Sequence, residues 1–303
     1  MDTAPKNPIL VTGSHRSGST WVGRMLALDP SVGFIMEPFN LNHRPGICRA
    51  RFDFWFQYLS VVDGENYAKD IEDCLNFRYS LAAELRAIRA PKDLGRMARD
   101  YWNFTNNRLH RRRALMKDPI ALFSAGWLAE RFDMDVVVLI RHPAAFAGSL
   151  KAAKWPHPFR HFLKQERLIE RYLSGFRKEI EQQTRNPGDI IDQAALLWNL
   201  VHHMILQYQQ EHSEWHYLRH EDISLNPVGE FQKLFTKLGL AYSDTIQKEV
   251  VAHTSSELPD TFKRDSRANI STWRQRLTDT EIRRVQEKTQ PLSKEFYSEE
   301  SWN

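Results

Sequence analysis

Cysteine is scarce in this chain: two occur in 303 residues, Cys48 and Cys74. They make neither a disulfide framework nor a metal-ligand spacing, which excludes the stapled secreted folds and the zinc-ribbon classes and predicts two reduced thiols. Long apolar runs are missing too. No segment approaches the ~18 apolar residues of a membrane helix. The first apolar run, residues 8–11, is too short for a signal-peptide core. The expectation is a soluble, cytoplasmic protein with no transmembrane segment. Charge of one sign is not dominant either, with 42 Lys and Arg against 38 acids. So mild an excess does not argue for nucleic acid as a partner; it suits an anionic ligand held at one local site. Histidines give no metal pattern. His202 and His203 are adjacent on a helix and point apart, and His157 and His161 are four apart with no acid after the first. No internal repeat or low-complexity linker divides the chain, so a single domain over residues 1–303 is expected.

What is present alternates. Strands are expected at 9–12, 33–36, 113–117, 135–140 and 215–219, and helices at 20–28, 119–132, 143–153, 159–183, 189–211, 227–238 and 280–290. The run Val136-Val137-Val138-Leu139-Ile140 is of the kind buried on both faces of a parallel sheet. Strand–helix alternation of this kind specifies an α/β, three-layer P-loop-type fold, a central parallel sheet flanked by helices. Residues 41–112 break the alternation. They are rich in Arg and aromatics and read as a mainly helical insertion helping to form the acceptor side. The basic run Arg111-Arg112-Arg113 reads first as a solvated face.

The most informative segment is Gly13-Ser14-His15-Arg16-Ser17-Gly18-Ser19-Thr20-Trp21. It follows a strand and opens a helix, and its Gly-x4-Gly spacing is that of a phosphate-cradling loop. Glycines let backbone N–H groups converge, and the helix N-terminus adds partial positive charge. Nucleoside triphosphatases carry Lys after the second glycine; here Ser19 stands there, and the cation is Arg16, two positions earlier. The loop therefore fits a phosphate ligand that needs no metal. A second motif begins at Arg141, directly after the buried strand, with Ser149 eight residues on. In open parallel sheets ligands bind beyond the carboxyl ends of strands, where a guanidinium can clamp a phosphate.

Together these motifs resemble the 3′-phosphoadenylyl sulfate (PAPS)-dependent sulfotransferase family, in its carbohydrate, tyrosylprotein and bacterial soluble branches. Arg16-Ser17-Gly18-Ser19-Thr20-Trp21 is similar to that family's 5′-phosphosulfate loop, and Arg141 with Ser149 to its 3′-phosphate element. Glu37-Pro38 resembles the Glu-Pro of carbohydrate enzymes. Lys117-Asp118-Pro119 resembles a Lys-Asp-Pro whose Lys faces the sulfuryl group. His220-Glu221-Asp222 resembles a Tyr-Glu-Asp segment with His for Tyr, and Arg267 with Trp273 a C-terminal Arg…Trp segment that closes over the cofactor. Cytosolic relatives place a His base where this chain has Pro119, which leaves Glu37 as the candidate base.

The resemblance implies sulfuryl transfer from PAPS, with 3′-phosphoadenosine 5′-phosphate (PAP) as product and no metal. The acceptor would be a hydroxyl, of a glycan or glycolipid first and of a phenol or tyrosine second. Glu37, Arg16 and Lys117 would be catalytic. Arg16, Ser17, Gly18, Ser19, Thr20, Trp21, Arg141, Ser149, His220 and Arg267 would hold the cofactor, with Trp21 reading equally as core packing and His220 as a core or capping residue. A P-loop phosphotransferase and a non-catalytic nucleotide-binding relative are the alternatives.

Overall fold

Short runs become the strands, β-branched in three of the five and not in the other two. The computed structural model describes residues 7–254 and 268–302. In chain order, β1 (Ile9–Gly13) leads through the phosphate loop to α1 (Ser19–Leu26) and β2 (Val32–Met36). Three helices follow, α2 (Val61–Leu75), α3 (Leu81–Ala87) and α4 (Pro91–Leu109). Next come β3 (Arg113–Lys117), a 3-10 turn (Pro119–Ser124), α5 (Ala125–Phe132), β4 (Asp135–Ile140) and α6 (Pro143–Ala153). After α7 (Arg160–Leu163) and α8 (Glu166–Leu168) lie a π-helical turn (Ile169–Leu173), a 3-10 turn (Ser174–Phe176) and α9 (Arg177–Arg185). Then follow α10 (Ile190–Glu211), β5 (His216–Arg219), α11 (His220–Leu225), α12 (Pro227–Lys237) and α13 (Asp244–Ala252). The chain ends in α14 (Ala268–Ser271), α15 (Trp273–Arg276) and α16 (Asp279–Ser293). The five strands make one parallel sheet, ordered β2-β3-β1-β4-β5 and flanked by helices. This is the expected α/β class.

The chain divides into two compact units. One holds the described residues through Thr12 and Ser19–Val137; the other holds Gly13–Gly18 and those from Val138 onward. In the first unit, Val11 and Met36 both lie in register with Lys117. Parallel pairing thus brings the carboxyl ends of three strands level, the edge at which such sheets bind ligands. Ile9, Leu10 and Leu115 are fully buried. Gly23 lets α1 approach β3: a Cβ there would lie 3.2 Å from Lys117 Cγ and 2.9 Å from the Phe34 ring. Arg113 differs from the solvated reading. It is buried, pairs with Asp135 and donates to the Asn7 carbonyl.

In the second unit, α6 packs against α10 and α16. Asp189 caps α10, its Oδ1 accepting from the Ile191 and Asp192 amides, each at 3.0 Å. The single helix expected at 159–183 is broken into short turns. Leu168 and Leu173 are both fully buried yet five positions apart, which an α-helix would turn well away from each other; a π turn brings them back together. Ser174-Gly175 then weakens the helix further. The helix expected at 119–132 opens as a 3-10 turn, Pro119–Ser124, with Asp118 accepting from both the Ile120 and Ala121 amides. Among the described residues no helix is long and apolar enough to cross a membrane.

Candidate active site

The phosphate loop is built on a close approach between two backbones. Ser14 N donates to Leu139 O at 2.8 Å. A Cβ on residue 13 would fall 2.3 Å from that same carbonyl oxygen, and Gly13 has φ +116°, so only glycine fits. Gly18, at φ 87°, turns the chain into α1. Between them Arg16 stands at φ 63°, a left-handed conformation unfavourable for a side-chain-bearing residue and common at ligand clamps. The Ser17 hydroxyl closes the loop onto the Ser14 carbonyl.

Three sequence-predicted residues meet at this loop. Arg16 Nε donates to Ser149 Oγ at 2.9 Å across 133 positions of chain. Arg141 donates through a terminal nitrogen to the Arg16 carbonyl, and its own carbonyl accepts from Trp198 Nε1 at 2.8 Å. Arg141 Nε is enclosed and has no hydrogen-bond partner among the described residues. Burial lowers the Arg141 guanidinium to about 10; Glu221 pulls it back up and Arg16 pushes it further down. It stays charged at neutral pH. Two neighbouring guanidiniums, one with an unanswered N–H, form a site that an anion stabilises.

Behind Arg141 lies a second layer, in which the sequence marked His220 and Trp273 but gave no role to Glu221, His142 or Tyr297. Half-buried Glu221 accepts from the His142 amide at 3.1 Å and from the Tyr297 hydroxyl at 2.8 Å. Burial raises its pKa, opposed by those two hydrogen bonds and by Arg141. His220 is buried beside the loop, hydrogen-bonded to the Ser17 backbone, and burial with the nearby Arg141 charge holds it down at about 3. It is therefore neutral at working pH, in position to brace the loop. His142 stacks on Trp273 with centroids 5.5 Å apart, and Trp273 also covers Gly148.

In the first unit, Glu37 and Lys117 form a pair. Lys117 is 1% exposed, and its Nζ donates to Glu37 Oε1. Glu37 Oε2 accepts from Asn40 Nδ2 at 3.2 Å. Glu37 has φ 48°, a second non-glycine residue in the left-handed region. That backbone is held on both sides, by the Glu37 amide donating to Lys117 O at 2.9 Å and the Phe39 amide to Asp118 Oδ2 at 2.6 Å. Asp118 is fully buried. Burial pushes it up to about 7, against the pull of the Phe39 amide and the Lys117 charge. Lys117-Asp118 thus serves Glu37 twice: the lysine pairs with its side chain and the aspartate clamps its turn. A lone acid inside a motif gives no sequence signal of such a role, though its place between Lys117 and Pro119 is a hint.

The other predicted residues are placed as follows. Ser19 is buried, Thr20 and Trp21 are half-buried, and all three lie in the first two turns' worth of α1. Arg267 lies outside the described residues.

A family model for the sulfotransferase family matches residues 8–244. The chain belongs to that family. No curated protein matches it. Among solved structures, the sulfotransferase domain of the Synechococcus PCC 7002 olefin synthase shares the fold, with 16% identity, 98% of both chains covered and a TM-score of 0.52. A sulfotransferase domain from the curacin biosynthetic pathway has 14% identity over 95% of this chain and 99% of its own, at a TM-score of 0.47. A sulfotransferase from Mycobacterium avium has 13% identity over 98% and 79%, also at 0.47.

Proposed function

We propose that this chain transfers a sulfuryl group from PAPS to an acceptor hydroxyl, that of a glycan or glycolipid in the first place and of a phenol or tyrosine in the second. The observation that carries the reading is the hydrogen bond from Arg16 to Ser149, with Arg141 bound to the Arg16 carbonyl. Two motifs far apart in sequence converge there on one cationic cluster with an enclosed, unanswered guanidinium N–H. A phosphate monoester fits that chemistry, since it offers several charged acceptor oxygens to a fixed fork of donors.

The donor supplies the sulfuryl group: an acceptor-oxygen-to-sulfur bond forms as the bond from sulfur to the nucleotide's 5′-phosphate oxygen breaks. Negative charge grows on that phosphate oxygen, and preorganised donors stabilise it. Arg16 and the amides of Ser17, Gly18, Ser19 and Thr20 take this role. Arg141 and Ser149, with Arg267, hold the 3′-phosphate, and Trp21 and His220 belong to the adenine side. Glu37 takes the acceptor's proton as the new bond forms. Its Oε1 is ion-paired with Lys117, whereas Oε2 meets only the neutral Asn40 amide at 3.2 Å, which makes Oε2 the more basic oxygen. Lys117 keeps that carboxylate oriented and adds positive charge beside the sulfuryl group. No divalent ion enters the scheme.

Incubation with radiolabelled PAPS and a panel of glycans, glycolipids and phenols tests it. Wild type labels a hydroxyl acceptor. Glu37→Gln loses about 10²- to 10⁴-fold in kcat while keeping its affinity for PAP. A panel left unlabelled by wild type, or undiminished turnover by Glu37→Gln, contradicts the respective part of the reading.

A further inference from the structure

Helix α4 is amphipathic in the wrong direction for a helix whose outer face meets only water. Its inward face carries Asp100, Phe104 and Asn107, all buried. Asp100 accepts from Arg44 at 2.8 Å, and Phe104 meets Phe77 edge-on with centroids 5.6 Å apart. The opposite face carries Leu94, Ala98, Tyr101, Trp102 and Leu109, at positions that recur with the helical period. Leu94 is 49% exposed, Trp102 70% and Leu109 76%. In the preceding helix α3, Leu85 is exposed as well, at 54%. Apolar side chains this open, gathered on one face, mark a docking surface rather than scattered surface residues.

The charges around that face are of one sign. Residues 81–112 hold eight Lys and Arg against three acids, an excess of five, whereas the whole chain carries +4. The three acids are committed internally. Glu84 and Asp100 are buried against Arg44, Asp100 also pairing with Arg99 at 3.0 Å, and Asp93 accepts from the Arg89 and Ala90 amides with Arg96 3.7 Å away, so the excess charge of the segment is left to the remaining cations. Lys92, Arg96 and Arg99 lie along one flank of the apolar face and Arg108 along the other, all exposed.

We propose that the outer face of α4 docks on an anionic lipid surface, with Trp102 and Leu109 entering the interfacial layer and the flanking cations meeting lipid phosphates. Charge complementarity selects this occupant. A second copy of the chain packed face to face would set one basic rim against another with no free acid to answer it. A polyanion would satisfy the cations and leave the leucines and tryptophan in water. An anionic bilayer surface satisfies both halves, as it does for basic interfacial helices in general. If the acceptor is a glycolipid, a point that rests on the proposed function, docking brings enzyme and acceptor to one surface. The binding test below needs no turnover, so its failure leaves that function standing.

The full chain is floated with phosphatidylcholine vesicles with and without phosphatidylglycerol, at low and high salt. The expected result is flotation only with the anionic vesicles, and its loss at high salt, where the screening length contracts. Trp102→Glu with Leu109→Glu weakens binding by on the order of 100-fold. Lys92→Glu with Arg96→Glu weakens it by at least about fivefold per charge. Both pairs lie on the surface, and both variants keep wild-type melting and wild-type affinity for PAP. Absence of flotation overturns the proposal, as does flotation indifferent to either pair. Dimerisation in analytical ultracentrifugation that Trp102→Glu abolishes would overturn it in favour of a second copy, and retention on heparin with no dependence on Trp102 in favour of a polyanion.

Discussion

Arg141 is held by its neighbours from several sides. Its carbonyl accepts from the Trp198 indole, one terminal nitrogen binds the Arg16 carbonyl, and Glu221 supplies a compensating charge. A guanidinium fixed this way costs little further ordering when a phosphate arrives. Arg141→Ala should therefore weaken PAP binding by about 10- to 100-fold, the range for one charge-assisted hydrogen-bonding group. Arg141→Lys should recover only part of that, because a point charge lacks the planar fork. Titration calorimetry of both variants checks this, and equal affinities for wild type and Arg141→Ala would contradict it. The positions of Arg16, Arg141 and Ser149 were legible in the sequence because strand ends and glycine spacing fix them locally. Glu221 and Asp118 stood inside quoted motifs, but their roles were not legible, because these are long-range: one answers an amide 79 positions away, and the other clamps one at the same separation.

At the scale of elements, the strands were the most legible part. β3 and β4 have the bounds expected of them, because a short apolar run closed off by charged or turn residues, Ala114-Leu115-Met116 in one and Val136 to Ile140 in the other, leaves little choice. The 159–183 segment was not legible. Its apolar spacing satisfies an α-helix on paper, and only the need to bury Leu168 together with Leu173 selects a π turn. Helix pairing depends on equally local detail. A Cβ on Gly64 of α2 would lie 2.2 Å from the Trp127 ring of α5, and Trp127 is itself buried. Gly64→Ala should thus destabilise the protein by about 1–3 kcal/mol through overpacking, despite its better helix propensity. Urea unfolding measures this; a stability equal to or above wild type would mean that α2 and α5 separate without cost.

Over the whole molecule, buried histidines set the response to acid. His15, His142, His202 and His220 are each at most 8% exposed. Each is held at about 3, chiefly by burial. Unfolded, each would titrate near 6.5, so between these values the unfolded chain binds more protons and stability falls as pH falls. Each group contributes at most about 1.4 kcal/mol per pH unit. Asp118, raised to about 7, acts the other way: its contribution is lost as pH rises from the ordinary carboxylate range toward neutrality. Four groups outweigh one, so denaturation midpoints should drop steeply from pH ~6.5 to pH ~5. A flat profile would contradict the burial of these imidazoles. The account as a whole rests on a nucleotide phosphorylated at both its 3′ and 5′ positions being gripped by Arg16 and Arg141 without a metal. Titration calorimetry of PAP in the presence of a chelator tests this most directly. The account predicts tight binding by wild type, unchanged by the chelator, and its loss in the Arg16→Ala, Arg141→Ala double variant. No heat of binding with wild type, or an affinity that survives the double substitution, would contradict it.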